Sequence, residues 1–351
     1  MKVIIITGSC GLIGSESVKF FSKKKYLIIG IDNNLRKYFF GKDGNTDWQL
    51  FNLKKIKNYI HYSCDIRNFD KLKKVFKKYN KRIASIIHCA AQPSHDWAAR
   101  EPLTDFSINA TGTLNLLELT RQYANKSKFI FLSTNKVYGD KPNKIKLVEK
   151  KKRYEPANKI YKANGIGEDM SIDNSKHSIF GSSKVAADIL VQEYGKYFNL
   201  NTVCFRGGCL TGPSHSGAEL HGFLSYLVKC CLKGKLYKVY GYKGKQVRDN
   251  IHSSDLVNMI WEFIKKPSRG EVYNVGGGIK NSCSILEAIS LIENITKKKM
   301  KYKIIKQNRI GDHIWYITNL KKFKKNYPNW KLKYSLKKII SEIVKEQSEI
   351  H

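Results

Sequence analysis

Residues 3–17 read VIIITGSCGLIGSES, an apolar run typical of a strand, followed by three glycines at the head of a helical pattern. Gly8, Gly11 and Gly14 allow a tight turn and let the backbone approach a pyrophosphate at the helix N-terminus. A glycine trio alone is a weak signal, because a plain turn has the same composition. Its place between a strand and a helix makes it specific, and it predicts a dinucleotide-binding strand–turn–helix unit.

Four further runs rich in β-branched residues read as strands: YLIIGI (26–31), SIIHCA (85–90), KFIFLS (128–133) and NTVCFR (201–206). They are almost continuously apolar, which is typical of parallel strands covered on both faces. Segments with apolar residues at helical spacing lie between them. This alternation predicts an α/β fold with a doubly wound parallel sheet of the Rossmann type, because consecutive parallel strands need right-handed helical crossovers.

The alternation changes near residue 206, where glycine-rich turns and shorter elements begin. We therefore expect a dinucleotide-binding domain over residues 1–206, to which segments near 247–275 return. A smaller α/β substrate-binding lobe is expected over 207–351. The longest irregular segment covers 140–178, and a loop of that length in a compact domain is usually functional or disordered.

Composition restricts the classes of partner. A formal net charge of +35 favours a solvated lysine surface, with attraction for an anionic ligand such as a nucleotide as the alternative. The basic runs do not alternate with aromatic residues, so no specific nucleic-acid partner is expected. Eight cysteines form no pair at zinc spacing, which predicts no metal site. No apolar run is long enough to cross a membrane, so we expect a cytoplasmic protein.

The second strand ends in Asp32, at the spacing from Gly14 where a carboxylate can accept hydrogen bonds from adenosine ribose hydroxyls. This carboxylate would repel a 2′-phosphate, which favours NAD over NADP, although Arg36 lies close by in the sequence. Asp65 ends the next strand and is placed to reach the adenine edge. Its alternative role is the N-cap of a helix over 68–79.

Five further segments carry a family resemblance: HCAAQ (88–92), NATGTLNLLE (109–118), STNKVYGD (133–140), GKQVRDNIHSSDL (244–256) and RIGD (309–312). With the glycine turn and Asp32, they resemble the extended short-chain dehydrogenases/reductases, the NAD-dependent epimerases and dehydratases of nucleotide-activated sugars. The resemblance covers nearly the whole chain. It implies tightly held NAD, a nucleotide-sugar substrate, and a homodimer formed through helices like those expected over 103–124 and 184–199.

The resemblance also implies roles for individual residues. Those near NAD are Gly8, Cys10, Gly11, Leu12, Ile13, Gly14, Asp32, Asn33, Arg36, Asp65, Ile66, Ala90, Ala91, Gln92, Asn109 and Lys184. Those near the nucleotide sugar are His95, Thr134, Asn135, Cys209, Glu219, Arg248, Arg309 and Asp312. The positions of the reacting groups are Thr134, Phe180 and Lys184. Arg248 and Arg309 are expected at the substrate diphosphate.

Within this family, STNKVYGD, the long insertion after it and the ANG at 163–165 most resemble enzymes that epimerise C2 of a CDP-deoxyhexose. Cys209 stands where the family usually has asparagine, and this subgroup also departs from asparagine there. The implied reaction is transient oxidation of the sugar hydroxyl with bound NAD, followed by return of the hydride to the opposite face.

Residues 177–184 read HSIFGSSK and depart from the family pattern. Phe180 stands where the family has a tyrosine that accepts the hydroxyl proton, four residues before Lys184. Phenylalanine cannot transfer a proton, and general-base assistance contributes about two to four orders of magnitude. Candidate substitutes are Thr134, Lys136, Tyr138, Tyr161, His177 and His95.

Three interpretations of this departure remain open. Another group has taken over the proton transfer, or the chain binds NAD and a nucleotide sugar without turnover. The third is that the reaction is a dehydration or dehydrogenation with a different acid–base pair. Because the other site residues are present, we expect an active enzyme, in which His177, Tyr161 and Lys136 are candidates for the proton acceptor.

Overall fold

The computed structural model of the protein describes residues 1–215, 217, 219, 222–308 and 311–349. The strands, in chain order, are β1 (Val3–Thr7), β2 (Leu27–Asp32), β3 (Tyr59–Ser63), β4 (Ile83–His88), β5 (Lys128–Thr134), β6 (Leu147–Glu149), β7 (Tyr154–Pro156), β8 (Asn201–Gly207), β9 (Cys209–Thr211), β10 (Tyr237–Tyr240), β11 (Val247–His252), β12 (Glu271–Val275), β13 (Ser282–Ser284), β14 (Tyr302–Ile305) and β15 (Trp315–Tyr316).

The α-helices, in chain order, are α1 (Leu12–Ser22), α2 (Arg36–Gly44), α3 (Asp47–Lys54), α4 (Phe69–Tyr79), α5 (His95–Arg100), α6 (Pro102–Phe106), α7 (Gly112–Tyr123), α8 (Lys159–Asn164), α9 (Ser178–Tyr197), α10 (Phe223–Leu232), α11 (Ser253–Lys265), α12 (Ile285–Thr296), α13 (Lys321–Asn326) and α14 (Leu336–Glu349). Short 3-10 turns cover Asn80–Arg82, Asn135–Tyr138, Lys141–Lys144, Tyr242–Gly244 and Ile279–Asn281. A π-helical turn covers Ser107–Thr111.

A seven-stranded sheet has the strand order β3-β2-β1-β4-β5-β8-β12. The strand β1 pairs in parallel with both β2 and β4, and the pairs β2–β3 and β4–β5 are parallel as well. The strand order therefore reverses at β1, where doubly wound sheets bind their ligands beyond the carboxyl ends of the strands. The predicted Rossmann type is confirmed.

The continuous apolar sequence of β1 follows from burial on both faces of the sheet. Ile5 belongs to one buried apolar cluster with Phe76 of α4 and Val191 of α9. Ile4 points to the opposite face, because side chains alternate along a strand, and it is also fully buried. Both faces of β1 are therefore buried, and its one polar side chain, Thr7, is hydrogen-bonded to His88.

The chain divides into two compact units. The first comprises Met1–Val137, Ser178–Arg206 and Leu256–Tyr273, and the second comprises Tyr138–His177, Gly207–Asp255 and Asn274–His351. In the second unit, β11 pairs with β9, β13 and β15, while β10 pairs in parallel with β14. A separate apolar core joins Leu227 of α10, Ile289 of α12 and Ile340 of α14.

This division differs from the predicted one in two places. Residues 138–177 belong to the second unit, and the segment that returns to the first unit is 256–273. The physical reason is backbone pairing, because the N–H of Ile166 donates to the carbonyl of Ile317 (2.7 Å). The segment is also less irregular than expected, since β6 and β7 form an antiparallel hairpin and α8 follows.

The helix expected over 103–124 is interrupted. The chain forms α6, then the π-helical turn, then α7. Periodicity could not reveal this interruption, because apolar spacing is nearly the same on both sides of one widened turn. The widened turn contains Asn109, which is buried.

Two classes of feature are absent from the described part of the chain. None of its helices is long and apolar enough to cross a membrane. No group of three or more His, Cys, Asp or Glu side chains within it is placed to hold a metal ion. The cysteines are free thiols, and most of them are buried.

Candidate active site

The turn between β1 and α1 is packed too closely for side chains. Gly8 has a φ of +64°, and a Cβ there would lie 2.7 Å from the backbone nitrogen of Ala90. A Cβ on Gly14 would overlap the carbonyl oxygen of Gly8. The N-cap Gly11 offers no side-chain hydrogen bond, and the first turn of α1 has no acidic residue. Because the first amides of a helix lack intrahelical acceptors, this end of α1 can bind a phosphate group.

Asp32 ends β2 next to this turn. Its Oδ2 accepts a hydrogen bond from the N–H of Cys10 (2.9 Å), and its Oδ1 accepts one from the N–H of Asn34 (2.8 Å). These bonds fix the carboxylate, and each oxygen keeps acceptor capacity for a ribose hydroxyl. Burial and the nearby Asp32 charge raise the pKa of the Cys10 thiol to about 12, so the thiol is neutral at physiological pH.

Asp65 follows β3 and is held by two neighbours. It accepts hydrogen bonds from Arg67 (2.7 Å) and Asn33 (3.1 Å). Burial raises the pKa of Asp65, but these bonds outweigh it and leave the pKa below its usual value. The alternative role of Asp65 as N-cap is wrong, because the Asn68 side chain caps α4.

Burial lowers the pKa of Arg36 to about 10, so this guanidinium stays charged at neutral pH.

The remaining residues predicted near NAD belong to the same unit. Leu12 and Ile13 lie in the first turn of α1, Ile66 follows β3, and Ala90, Ala91 and Gln92 follow β4. The N–H of Ala90 donates to the Thr7 hydroxyl (3.3 Å), which ties the end of β4 to the end of β1. The structure thus brings the ends of neighbouring strands together at the predicted cofactor residues.

A buried hydrogen-bond network surrounds Asn109. Its Oδ1 accepts from the N–H of Gln92 (3.0 Å), and its Nδ2 donates to Asp105 (3.1 Å) and to the hydroxyl of Ser183 (3.1 Å). Gln92 also donates to Asp105 (2.8 Å). Burial raises the pKa of Asp105 above its usual value. Sequence reasoning missed Asp105 and Ser183, although Asp105 lies one turn before Asn109 and Ser183 adjoins Lys184.

Lys184 is buried on α9. Its Nζ donates to the carbonyl of Leu132 (2.9 Å) and lies 4.2 Å from the centroid of the Phe131 ring. Burial lowers the pKa of Lys184 to about 8, and the charge of Asp188 acts in the opposite direction. The Lys184 amine is therefore mostly protonated at neutral pH, although its burial disfavours the charged form.

A buried ion pair supports the end of β5. Asp188 and Arg206 form an ion pair with an N···O distance of 2.8 Å, and both side chains are almost fully buried. Asp188 also accepts a hydrogen bond from the hydroxyl of Ser133, next to Thr134. The sequence indicated only one half of this pair. Asp188 lies one helical turn after Lys184 on the same face, which places a carboxylate near the predicted site.

Thr134 and Asn135 occupy the end of β5 and the start of the following 3-10 turn. The hydroxyl of Thr134 accepts a hydrogen bond from the N–H of Lys136 (3.3 Å). Thr134 is half-buried, while Asn135 is buried. Thr134 therefore lies at a strand end whose preceding residue, Ser133, is hydrogen-bonded to the buried Asp188.

The Phe180 ring is buried near the start of α9 and contacts His95 edge-to-face, with ring centroids 4.8 Å apart. Nδ1 of His95 lies 3.1 Å from the hydroxyl oxygen of Ser178. This contact links α5 to α9, and it brings a titratable side chain against the ring that lacks a hydroxyl. Sequence reasoning named His95 but missed its bond to Ser178.

Three other proposed proton acceptors belong to the second unit. The Tyr138 hydroxyl is fully buried and donates to Asn274 Oδ1 (2.7 Å). Nε2 of His177 lies 2.8 Å from the carbonyl oxygen of Ile172, so this nitrogen is the donor. Tyr161 lies on α8. Tyr138 and His177 therefore have structural hydrogen bonds within their own unit.

The residues predicted at the nucleotide sugar also include members of the second unit. Arg248 forms an ion pair with Asp312 (2.7 Å) and donates to the carbonyls of Val247 and His313. Two predicted residues thus lie together. Cys209 begins β9 opposite Asn250 of β11, and the exposed Glu219 lies 3.4 Å from the hydroxyl of Tyr240. Arg309 lies outside the described residues.

Fold and site together define a nucleotide-dependent α/β enzyme, and a family model agrees. The model described as "NAD dependent epimerase/dehydratase family" matches residues 4–276. A CDP-paratose 2-epimerase from Salmonella typhi is 33% identical over 95% of this chain and 96% of its own length. The chain belongs to the NAD-dependent epimerase/dehydratase family.

Solved structures agree on the fold. A dTDP-glucose 4,6-dehydratase from Bacillus anthracis, in complex with NAD, is 25% identical and covers 99% of this chain and 97% of its own, with a TM-score of 0.77. A tyrosine-to-phenylalanine mutant of UDP-glucuronic acid 4-epimerase from Bacillus cereus has a TM-score of 0.81 at 24% identity, covering 99% of this chain and 100% of its own. The predicted fold and family resemblance are thereby confirmed.

Proposed function

We propose that this chain is an NAD-dependent epimerase that inverts C2 of a CDP-deoxyhexose by transient oxidation with bound NAD. The observation that carries the proposal is the 33% identity to a CDP-paratose 2-epimerase along 95% of the chain. The geometry of the first unit supports it, because the glycine turn, Asp32 and the buried Lys184 fit a dinucleotide. A cytoplasmic location is part of the same proposal.

The NAD site is assigned to the first unit. The amides at the start of α1 hold the pyrophosphate, and Asp32 accepts hydrogen bonds from the adenosine ribose. Lys184 holds the nicotinamide ribose and supplies a positive field. The fit is supported by the close packing of this turn, because a Cβ at Gly8 would meet the backbone of Ala90 and one at Gly14 would meet the carbonyl of Gly8. Bound NAD supplies reversible acceptance of a hydride from the sugar carbon.

The substrate contacts are assigned to two sets of residues. Thr134 binds the reacting hydroxyl at the end of β5, with Asn135 beside it. Arg248 binds a phosphate of the diphosphate, and its pairing with Asp312 fixes the guanidinium for that purpose. Charge-assisted contacts to phosphate are strong and geometrically specific. His95, Cys209, Glu219, Arg309 and Asp312 are assigned to the remainder of the nucleotide sugar.

A homodimer is part of the proposal. Large apolar side chains of the first unit are exposed on α6 and α9, including Leu103 (87% exposed), Ile189 (42%) and Tyr197 (78%). A contiguous exposed apolar patch favours an interface with a partner, and the proposal takes these side chains to form one. Family members that the sequence resembles dimerise through the corresponding helices, so we assign the patch to a second copy of the chain.

Denaturing release of small molecules from the purified protein, followed by mass spectrometry, tests the cofactor assignment. An epimerase that returns its hydride has no need to release the cofactor, so we expect about one NAD for each chain. Arg248→Ala should weaken CDP binding about tenfold or more without reducing the NAD content, while Arg269→Ala, which removes an exposed arginine of the first unit, should change neither. Normal CDP affinity in Arg248→Ala would refute the substrate assignment.

A second candidate function is a nucleotide-sugar dehydratase. It is favoured by the similarity to the dTDP-glucose 4,6-dehydratase from Bacillus anthracis at 25% identity. A dehydratase would release a product lighter than its substrate by one water, whereas an epimerase leaves the mass unchanged. Mass spectrometry of the nucleotide sugars after incubation distinguishes the two reactions.

A further inference from the structure

We propose that His95 is the catalytic residue that accepts the proton of the sugar hydroxyl, and that Ser178 is its positioning residue. The inference rests on the proposed epimerase function and identifies the group that replaces the missing tyrosine hydroxyl. It is supported by two contacts of His95, one with the Phe180 ring and one with the Ser178 hydroxyl.

The first contact sets the location of the imidazole. Its ring is in edge-to-face contact with Phe180, at a centroid distance of 4.8 Å. The imidazole therefore lies against the ring on which the family carries the hydroxyl. His95 is half-buried, and a histidine has an unperturbed pKa closer to neutrality than any other candidate side chain.

The second contact carries the assignment of the nitrogen that accepts the proton. Ser178 has a φ of +63°, in the left-handed region, at the start of α9. Its Oγ accepts a hydrogen bond from the N–H of Gly181 (3.3 Å) and lies 3.1 Å from Nδ1 of His95. Ser178 Oγ keeps a second lone pair as well as its own O–H, so it can accept the Nδ1–H of His95 or donate to Nδ1, and the proposal assigns it as the acceptor. In this neutral tautomer the lone pair for proton transfer is on Nε2.

The proposed step balances in atoms and electrons. The C2–H bond breaks and its hydride passes to the nicotinamide, while the O–H bond at the same carbon breaks and its proton passes to Nε2 of His95. The products are a ketone and an imidazolium that donates to Ser178. After the ketone presents its other face, the hydride returns to carbon and the imidazolium returns the proton to oxygen.

The buried lysine is a poorer proton acceptor in this structure. Nζ of Lys184 donates to the carbonyl of Leu132 and lies over the Phe131 ring, so two residues of β5 already hold the ammonium group. Its assigned role is to hold the nicotinamide ribose in its charged form. His95 is in ring contact with Phe180, and the proposal therefore places the acid–base function outside the family's usual pair.

Three variants test the proposal by kinetics on the NAD-loaded protein. His95→Asn should lower kcat by about two orders of magnitude or more, with unchanged NAD content and unchanged CDP affinity. His177→Asn, the same substitution in the other candidate histidine, should lower kcat less than about tenfold. Adding Phe180→Tyr to His95→Asn should recover at least about tenfold in kcat, because the missing hydroxyl is then restored.

Histidine nitrogen chemical shifts provide a test that needs no turnover. The neutral His95 ring should carry its proton on Nδ1, and Ser178→Ala should shift the tautomer equilibrium toward Nε2–H. The proposal is overturned if the wild-type ring is protonated on Nε2, or if His95→Asn retains full activity. Absence of wild-type turnover on every nucleotide sugar would instead overturn the proposed function, and this inference with it.

Discussion

Lys184 is a buried cation whose ionisation is coupled to folding. Burial lowers its pKa from 10.5 to about 8, so the protonated lysine opposes folding below about pH 8. This opposition disappears as the pH rises toward 10.5, the value for the exposed side chain. We predict that the free energy of unfolding of the wild type rises relative to Lys184→Met by about 3 kcal/mol across this interval, as measured by urea unfolding at about pH 7 and pH 10.

The matched control is Lys196→Met, which removes an exposed lysine from the same helix. Its difference from the wild type should change much less over that pH range, because this side chain is exposed and an exposed ion pair such as that with Glu193 contributes little. If the difference for Lys184→Met were equally constant, the buried-charge account of Lys184 would be wrong.

Asp32 decides cofactor affinity at the adenosine end. Asp32→Ala removes the acceptor for the ribose hydroxyls and also releases the N–H groups of Cys10 and Asn34. We predict that NAD binds at least about tenfold more weakly to this variant, as measured by calorimetry on protein stripped of cofactor. Asp70→Ala, an exposed carboxylate in the first turn of α4, is the control and should bind NAD normally. Unchanged affinity in Asp32→Ala would refute the ribose assignment.

Among the elements, the turn from β1 into α1 has little tolerance for added atoms. Gly14→Ala places a Cβ against the carbonyl oxygen of Gly8, which is backbone and cannot move aside. Gly11→Ala places its Cβ 3.3 Å from the same oxygen, with a φ of −76° that alanine adopts readily. We predict a loss of about 2 kcal/mol in the free energy of unfolding for Gly14→Ala and a much smaller loss for Gly11→Ala. Equal losses in urea unfolding would contradict this packing account.

The strands of the first sheet were predictable because their signals are local. Apolar runs located β1, β2, β4, β5 and β8 to within one or two residues, and the glycine turn identified the passage from β1 into α1. The sheet also contains β3 and β12, for which no apolar run was identified. The interruption before α7 was not predictable, because one widened turn around Asn109 leaves the apolar spacing almost intact.

The candidate site was predictable where a motif fixes the residue and not where two segments meet. Asp32 and Lys184 are fixed by spacing from neighbouring motif residues. The contact between His95 and Ser178 joins residues from separate helices, and the pairing of Asp188 with Arg206 joins a helix to a strand. Such pairs depend on tertiary packing, for which a single sequence carries no spacing rule.

At the scale of the whole molecule, the exposed apolar residues of α6 and α9 predict self-association. Ile189→Asp combined with Tyr197→Asp should convert a dimer into a monomer, since charged groups at the interface would lose their water. Leu236→Asp, which changes an exposed apolar residue of the second unit, is the control and should leave the mass unchanged. Analytical ultracentrifugation measures the outcome, and a wild-type monomer would refute the proposed dimer.

The central claim is that the chain inverts a sugar carbon by moving one hydride to bound NAD and back. Incubation with CDP-paratose that carries deuterium at C2, without added cofactor, tests it most directly. The account predicts formation of the C2 epimer, with the deuterium retained at C2 and the NAD still bound to the protein. Absence of the epimer, or an epimer whose deuterium has exchanged with water, would contradict it.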